Sequence, residues 1–256
     1  MSADGSIDLT RQVRAHLESL RAAGVLFVPR GAAIALPGPA QPRAGAVPAV
    51  ARPEPPVDPL EVRRQELTVL SAEVAACDKC SELFSTRTAP VFGTGPLDAE
   101  VAFIGAAPGA AEDAQGEPFV GTGGQLLSRI IAACGFTRET VYLFNVIKCR
   151  PPKNRAPTRT ECENCRGYFR RQYELVKPKH LVALGEFTAR LLTGRRDALA
   201  ALRGKLHEYR GVPLVCTHHP DDIETDKTGK LKPETWEDLK LLLQKMGRPV
   251  AAGKRE

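Results

Sequence analysis

Nowhere does this 256-residue chain reach the roughly 18 consecutive apolar residues that a membrane-spanning helix requires. Its opening, MSADGSIDLTRQ, has no basic stretch followed by an apolar one, the pattern of an export signal. These absences predict a cytoplasmic protein with no membrane partner. Large apolar side chains are scarce from Pro29 to Pro59, where Pro, Ala and Gly dominate (PGPAQPRAGAVPAVARPEPPVDP). A segment that buries so little cannot offset the entropy of ordering itself, so a disordered linker is expected there.

What is present suffices for one substantial core and an extension, with 43% hydrophobic and 26% charged residues. Ile7, Leu9, Val13, Leu17, Leu20 and Val25 recur near helical spacing among charges. They predict a short amphipathic helix, either a surface element or a dock for a protein partner. The expected organisation is a leader over 1–60 (helix plus linker), a core domain over 61–247 and a disordered tail over 248–256. A formal charge of +6 and a pI near 9.0 suit a polyanionic partner without demanding one.

Within the core, Glu61 to Ala76 reads as helix and Val101 to Ile104 as a buried strand ending in a Gly/Pro turn. Gly123 to Gly135 is a helix with a terminating glycine, Val141 to Ile147 a second strand, and Thr160 to Val176 another helix. His180 to Gly185 and Val212 to Pro220 supply two further strands, followed by the helices FTARLLTG and TWEDLKLLLQKMG. Strands alternating with helices predict a three-layer α/β/α sandwich with a mainly parallel central sheet. Ligand sites in such sheets lie in loops at the carboxyl ends of the strands.

In a reducing compartment the seven cysteines are read as ligands or catalytic groups rather than disulfides. Cys77 and Cys80 form a C-x2-C pair, with Cys149, Cys162 and Cys165 far downstream. Cys77, Cys80, Cys162 and Cys165 fit a zinc ribbon, although the interval between the pairs far exceeds a ribbon's ~15–20 residues. Cys77, Cys80, Cys149 and Cys165 fit a [4Fe-4S] cluster, which tolerates distant ligands. Spacing alone leaves both open. Cys134 and Cys216 sit in apolar settings and read as core residues.

Three phrases carry a resemblance: GAAPGAAEDAQGEPFVGTGGQLL (Gly105 to Leu127), FNVIKCRPPKNRAP (Phe144 to Pro157) and THHP (Thr217 to Pro220). In order and spacing the chain resembles the family-4 uracil-DNA glycosylases, iron-sulfur enzymes of DNA repair, from about Cys77 to Met246. The resemblance implies a uracil-DNA glycosylase-like fold, hydrolysis of the bond between uracil and deoxyribose in single- or double-stranded DNA, and a monomer, nucleoid-associated in a prokaryote. It also implies a [4Fe-4S] cluster on Cys77, Cys80, Cys149 and Cys165, the last two matching the family's C-x15-C spacing and leaving Cys162 spare.

Residue chemistry supports these roles. A base must leave the stack to be cleaved, and Phe119 suits the stacking of its ring. The Asn145 amide can donate to O4 of uracil and accept from N3–H, a pattern that cytosine reverses. Gly105, with Ala106 and Ala107, lets backbone approach the base. His219 matches the family histidine that stabilises the negative charge of the departing base. Lys148, Arg150, Lys153 and Arg155 are candidate contacts to the DNA backbone, next to a cluster ligand.

Two departures stand out. The family usually has Glu where this chain has Ala106, so Glu112 and Asp113 become the nearest catalytic carboxylates, although a helix start explains them equally well. After Pro220 the segment DDIETDKTGK replaces the usual apolar and basic residues, with Ile223 as the only candidate wedge into DNA. A catalytically weakened DNA-binding relative and a zinc-stabilised interaction module are therefore the competing readings.

Overall fold

The computed structural model describes residues 9–22 and 58–249. The chain separates into two units, residues 1–53 and 54–256. In the first, helix α1 (Leu9–Ala22) carries Val13 and Leu17 one turn apart, both exposed. Ile7, Val25, nearly all of the expected linker and the tail from residue 250 lie outside the described residues. The tail's expected first residue, Arg248, is anchored instead: it pairs with Glu100 and lies 4.1 Å over the Phe136 ring. Among the described residues no helix is long and apolar enough to cross a membrane.

The second unit runs α2 (Pro59–Ala75), α3 (Ser81–Thr86), β1 (Val101–Gly105), α4 (Ala110–Gln115), α5 (Thr122–Ala133), β2 (Tyr142–Asn145), a 3-10 turn (Pro152–Asn154), α6 (Arg159–Val176), β3 (His180–Leu184), α7 (Glu186–Thr193), α8 (Leu199–Leu202), β4 (Leu206–Tyr209), β5 (Val212–Thr217), α9 (Pro220–Glu224) and α10 (Leu231–Lys245). Local chemistry sets several of these starts. Asp58 accepts from the Leu60 amide ahead of α2, with Pro59 at the first helical position. Thr158 and Glu161 form a reciprocal capping box at the start of α6.

The sheet has the order β2-β1-β3-β5-β4, parallel except for the antiparallel pair β4 and β5. Successive strand residues feed two cores. Ala102, Ile104, Tyr142, Phe144, Leu181 and Ala183 pack with Phe169 and Tyr173 of α6. Val101, Phe103, Leu143 and Val182 pack with Leu127 and Ile131 of α5 and Leu239 and Leu242 of α10. With both faces covered, these strands are continuous apolar runs, and the expected three-layer α/β/α sandwich is what they build. Cys134 and Cys216 are core residues, 5% and 0% exposed.

Strand β4 was not expected. Its sequence LHEY lies at the sheet edge with alternating half-buried and exposed residues, so it lacks the apolar run that marks its neighbours. At the other edge Thr94 exchanges two backbone hydrogen bonds with Leu143, of 2.9 and 2.7 Å. It is flanked by Gly93 and Gly95 at φ +129° and +135°; a Cβ at Gly93 would come within 2.8 Å of Phe144 Cβ, and one at Gly95 within 2.3 Å of the Val141 carbonyl oxygen.

From β1 the chain moves outward to β2, then returns across β1 to β3. That reversal between β1 and β3 is a topological switch point, where the loops at the strands' carboxyl ends part to leave a crevice.

Candidate active site and thiol cluster

Gly105 ends β1 and is paired in register with Asn145, the last residue of β2. A Cβ built on Gly105 would stand 2.3 Å from Asn145 Oδ1 and 2.8 Å from Phe119 Cζ. Glycine is therefore what lets an amide and an aromatic ring close on one point. Asn145 is 2% exposed, and its Oδ1 is buried without a hydrogen-bond partner among the described residues. Such an acceptor is costly unless a ligand uses it. Phe119 is buried and holds φ at +54°, a left-handed conformation uncommon for a bulky residue and often stored at functional sites.

His219 follows β5 and caps α9. Its ring lies 6.4 Å from the Phe119 ring, tilted by 38°. Gly185, at φ +83°, makes room for it: a Cβ there would lie 3.2 Å from His219 Cβ. His219 Nδ1 accepts from the Asp221 amide at 3.3 Å, which in the neutral imidazole leaves the proton on Nε2. The Asp221 carboxylate stands 3.5 Å from Nδ1. His218 turns to α10, its Nε2 2.8 Å from Glu234 Oε2.

The two acidic residues expected to be catalytic are employed elsewhere. Glu112 accepts from the amides of Gly109 (3.1 Å), Val120 (2.9 Å) and Gly121 (2.9 Å), tying the start of α4 to the loop behind Phe119. Asp113 is 4% exposed and both its oxygens accept from the Thr88 amide. Each carboxylate satisfies backbone donors, and a base so engaged is poorly placed to take a proton from water. Ala106 and Ala107 are partly buried beside them, and the carbonyls of Gly105 and Ala106 accept from Val146 and Ile147, extending the β1–β2 ladder into the loops. Ile223, the expected wedge, is 8% exposed and thus packed inward.

The basic candidates divide. Lys148 is a correction: it is 1% exposed and donates inward to Asn145 O (2.7 Å), Gln172 Oε1 (2.5 Å) and Phe92 O (3.2 Å). Burial pushes its pKa down to about 7, opposed by the neighbouring sulfurs of Cys165 and Cys149. Arg155 is spent on ion pairs with Glu161 at 2.6 Å and Glu82 at 2.8 Å. Arg150 is half-buried and donates to Asn154, whereas Lys153 is exposed at the tip of the loop after β2. Asn154 shares a cleft of about 600 Å³ with Glu112, Gly121 and Asp221, between the loops that follow β1, β2 and β5.

Cys77 follows α2, Cys80 caps α3, Cys149 follows β2 and Cys165 lies on α6. Nitrogen donors reach their sulfurs: Arg87 Nη1 to Cys149 at 3.1 Å and Asn164 Nδ2 to Cys80 at 3.3 Å, with the Lys148 amide on Cys165. Burial raises the Cys149 thiol and lifts Cys165 to about 11, each also raised by the Cys80 sulfur, while Cys77 acts on Cys149. Cys162 is a half-buried neighbour of Cys80. Among the described residues no three His, Cys, Asp or Glu side chains converge to hold one ion. Nitrogen donors thus stand at three of the four sulfurs and the Tyr168 side chain bonds the fourth, Cys77, a setting suited to thiolates that hold a metal group. Neither the donors Arg87 and Asn164 nor the buried Gln172 was visible in the sequence, since their partners lie far away along the chain.

Fold and site define a class: a doubly wound α/β protein with an amide, an aromatic ring and an imidazole converging at its switch point, beside a nest of thiols. Residues 92–240 match the family model described as the Uracil DNA glycosylase superfamily. A "Type-4 uracil-DNA glycosylase" of Archaeoglobus fulgidus is 40% identical over 164 residues, covering 61% of this chain and 82% of the relative. Another of Thermotoga maritima is 35% identical over 179 residues, covering 69% and 93%. A "Type-5 uracil-DNA glycosylase" of Pyrobaculum aerophilum is 30% identical over 191 residues, covering 62% and 84%. The chain belongs to the uracil-DNA glycosylase superfamily and, within it, to the type-4 family.

Proposed function

We propose that this protein hydrolyses the N-glycosidic bond of uracil in DNA and leaves an abasic site. The observation that carries this reading is the buried Asn145 Oδ1, which has no hydrogen-bond partner among the described residues and stands at Gly105 beside Phe119, with His219 across the crevice. A flipped uracil stacks on Phe119, its N3–H donates to Oδ1 and its O4 accepts from Nδ2. Cytosine presents an acceptor and a donor in those places, leaving buried groups unpaired at about 1–3 kcal/mol each. Bond cleavage puts negative charge on the base, and the Nε2 proton of His219 is the donor available to its O2. In this scheme Glu112 steadies the loop that carries Phe119, and Asp113 anchors the chain at Thr88.

Cys77, Cys80, Cys149 and Cys165 would hold a [4Fe-4S] cluster. When bound, it supplies a covalent cross-link fastening the loop after β2 to α3 and α6, which steadies Arg150 and Lys153 for contact with phosphate. The partner is DNA, in the compartment that holds the chromosome. Every group invoked comes from one chain, in keeping with a monomer, while the exposed Val13 and Leu17 of α1 offer a face to a protein partner.

The test is release of free uracil from single- and double-stranded oligonucleotides by cluster-loaded protein; no release from either sinks the proposal. A second reading, DNA binding without excision, is favoured by Ala106 together with the engaged carboxylates of Glu112 and Asp113. Tight binding to uracil-containing DNA without cleavage, with release restored by Ala106→Glu, would establish it. Iron and sulfide analysis separates either from a zinc module.

A further inference from the structure

Phe119 keeps its left-handed backbone because its loop is gripped from two sides. On one side Glu112 takes the amides of Val120 and Gly121. On the other, Arg138, in the segment between α5 and β2, donates from Nη2 to the Pro118 carbonyl at 2.8 Å and from Nη1 to the Phe119 carbonyl at 3.0 Å. Nη1 also reaches Ser128 Oγ at 3.2 Å, and Ser128 in turn bonds the Gly124 carbonyl on α5. The Phe119 carbonyl is pressed against α5 so closely that a Cβ on Gly124 would lie 1.9 Å from its oxygen.

Arg138 is half-buried, and among the described residues its hydrogen bonds go to neutral oxygens rather than to a carboxylate. An arginine kept from water and turned on two successive carbonyls uses its planar fork to fix a backbone. Rotating the Phe119 peptide to an ordinary conformation would move both carbonyls off the fork and swing the ring away from Gly105 and Asn145.

We infer that Arg138 is a positioning residue of the base pocket, holding the Phe119 ring in register with the Asn145 amide. This rests on the reading above that Phe119 stacks the flipped base. It adds a residue outside the three motifs, on the stretch that leads into β2 and so to Asn145, and one run of chain then sets both the stacking face and the reading edge.

The experiment is a double-mutant cycle on cluster-loaded protein: Phe119→Ala, Arg138→Met and the two combined, with Arg138→Lys as the conservative variant, each checked for iron content and cooperative unfolding. Release of uracil is measured under single-turnover and steady-state conditions. Arg138→Met is expected to lower kcat by up to ~10²-fold, the cost of a ring misplaced by about 1 Å, with KM for DNA changing much less. Arg138→Lys, which keeps the charge and one donor direction, recovers part of the loss. The combined variant is expected to be no slower than Phe119→Ala, because Arg138 acts through that ring. Losses that multiply in the combined variant overturn the inference, as does a wild-type rate for Arg138→Met or Arg138→Lys alongside a slow Phe119→Ala. Should Phe119→Ala itself run at the wild-type rate, the stacking reading falls and the inference falls with it.

Discussion

Replacing Gly105 with alanine inserts one methyl group where the pocket closes. Its carbon would stand 2.3 Å from Asn145 Oδ1, 2.8 Å from Phe119 Cζ and 3.3 Å from Cε1, against ordinary contacts of 3.4–4 Å. The oxygen would have to retreat by about 1 Å, and little lets it. Asn145 is 2% exposed, its carbonyl is held by Lys148, and the next amide, Val146, bonds the Gly105 carbonyl at 2.9 Å. Overpacking of this kind costs about 1–3 kcal/mol of stability. At 2–4 °C per kcal/mol for a domain of this size, the melting temperature falls by roughly 2–12 °C. Displacing a reading group by about 1 Å slows chemistry by ~10²-fold, or about 2.7 kcal/mol of transition-state stabilisation. Gly167→Ala is the control: that helical glycine is exposed, with no described residue within 4 Å of the added carbon, so it should gain ~0.4–1 kcal/mol and leave the rate unchanged. Melting curves and single-turnover uracil release on both variants decide the matter. A folded Gly105→Ala protein cleaving at the wild-type rate refutes the convergence of Gly105, Asn145 and Phe119 on the substrate.

Other perturbations separate the remaining roles. Glu112→Ala leaves three amides without their acceptor and should cost on the order of 3 kcal/mol in denaturant titrations, while Glu112→Gln, keeping one oxygen for Val120 and Gly121, should cost less; a Gln variant of full stability and no activity would instead mark Glu112 as a base. Cys149→Ala should lose its iron and brown absorbance whereas Cys162→Ala keeps them, and the reverse result assigns the fourth ligand to Cys162. Burial pushes the Cys216 thiol up to about 12, with Asp238 adding to the effect. Its folded pKa lies above the ~8.5 of an unfolded thiol, so its contribution is whole below pH ~8.5 and is lost as pH rises toward 12. Cys216→Ala should therefore flatten the alkaline fall of stability by ~2 kcal/mol at pH 10 in chemical denaturation; an unchanged slope would show that the thiol does not titrate in the unfolded chain as supposed.

Strands β1, β2, β3 and β5 were legible because burial on both faces makes each a compact apolar run. Strand β4 alternates its exposure at an edge, and α3, α4 and α9 are too short to show a period. Phe119, Asn145 and His219 could be singled out because each sits in a phrase tied to a strand end. Lys148 misled because a basic residue beside a thiol reads as surface charge, and only the tertiary structure supplies the Gln172 that turns it inward; the ion pairs of Arg155 with Glu161 and Glu82 were equally out of view. Glu112 and Asp113 were ambiguous, since an acidic pair at a helix start serves capping and catalysis alike. Arg138 carried no signal, because the carbonyls it holds, Phe119 and Pro118, lie 19 and 20 residues earlier in the chain.

The Gly93-Thr94-Gly95 strap beside β2 bears on how the protein behaves at high concentration. By exchanging both bonds with Leu143, Thr94 takes up hydrogen-bonding positions that a strand from another molecule would need to extend the sheet there. The opposite border is guarded differently, by the short β4 with its projecting Leu206 and Glu208 and the preceding Lys205. One margin is occupied at its centre by this bridge and the other is short and carries charge, so edge-to-edge pairing of copies is hindered at both ends of the sheet.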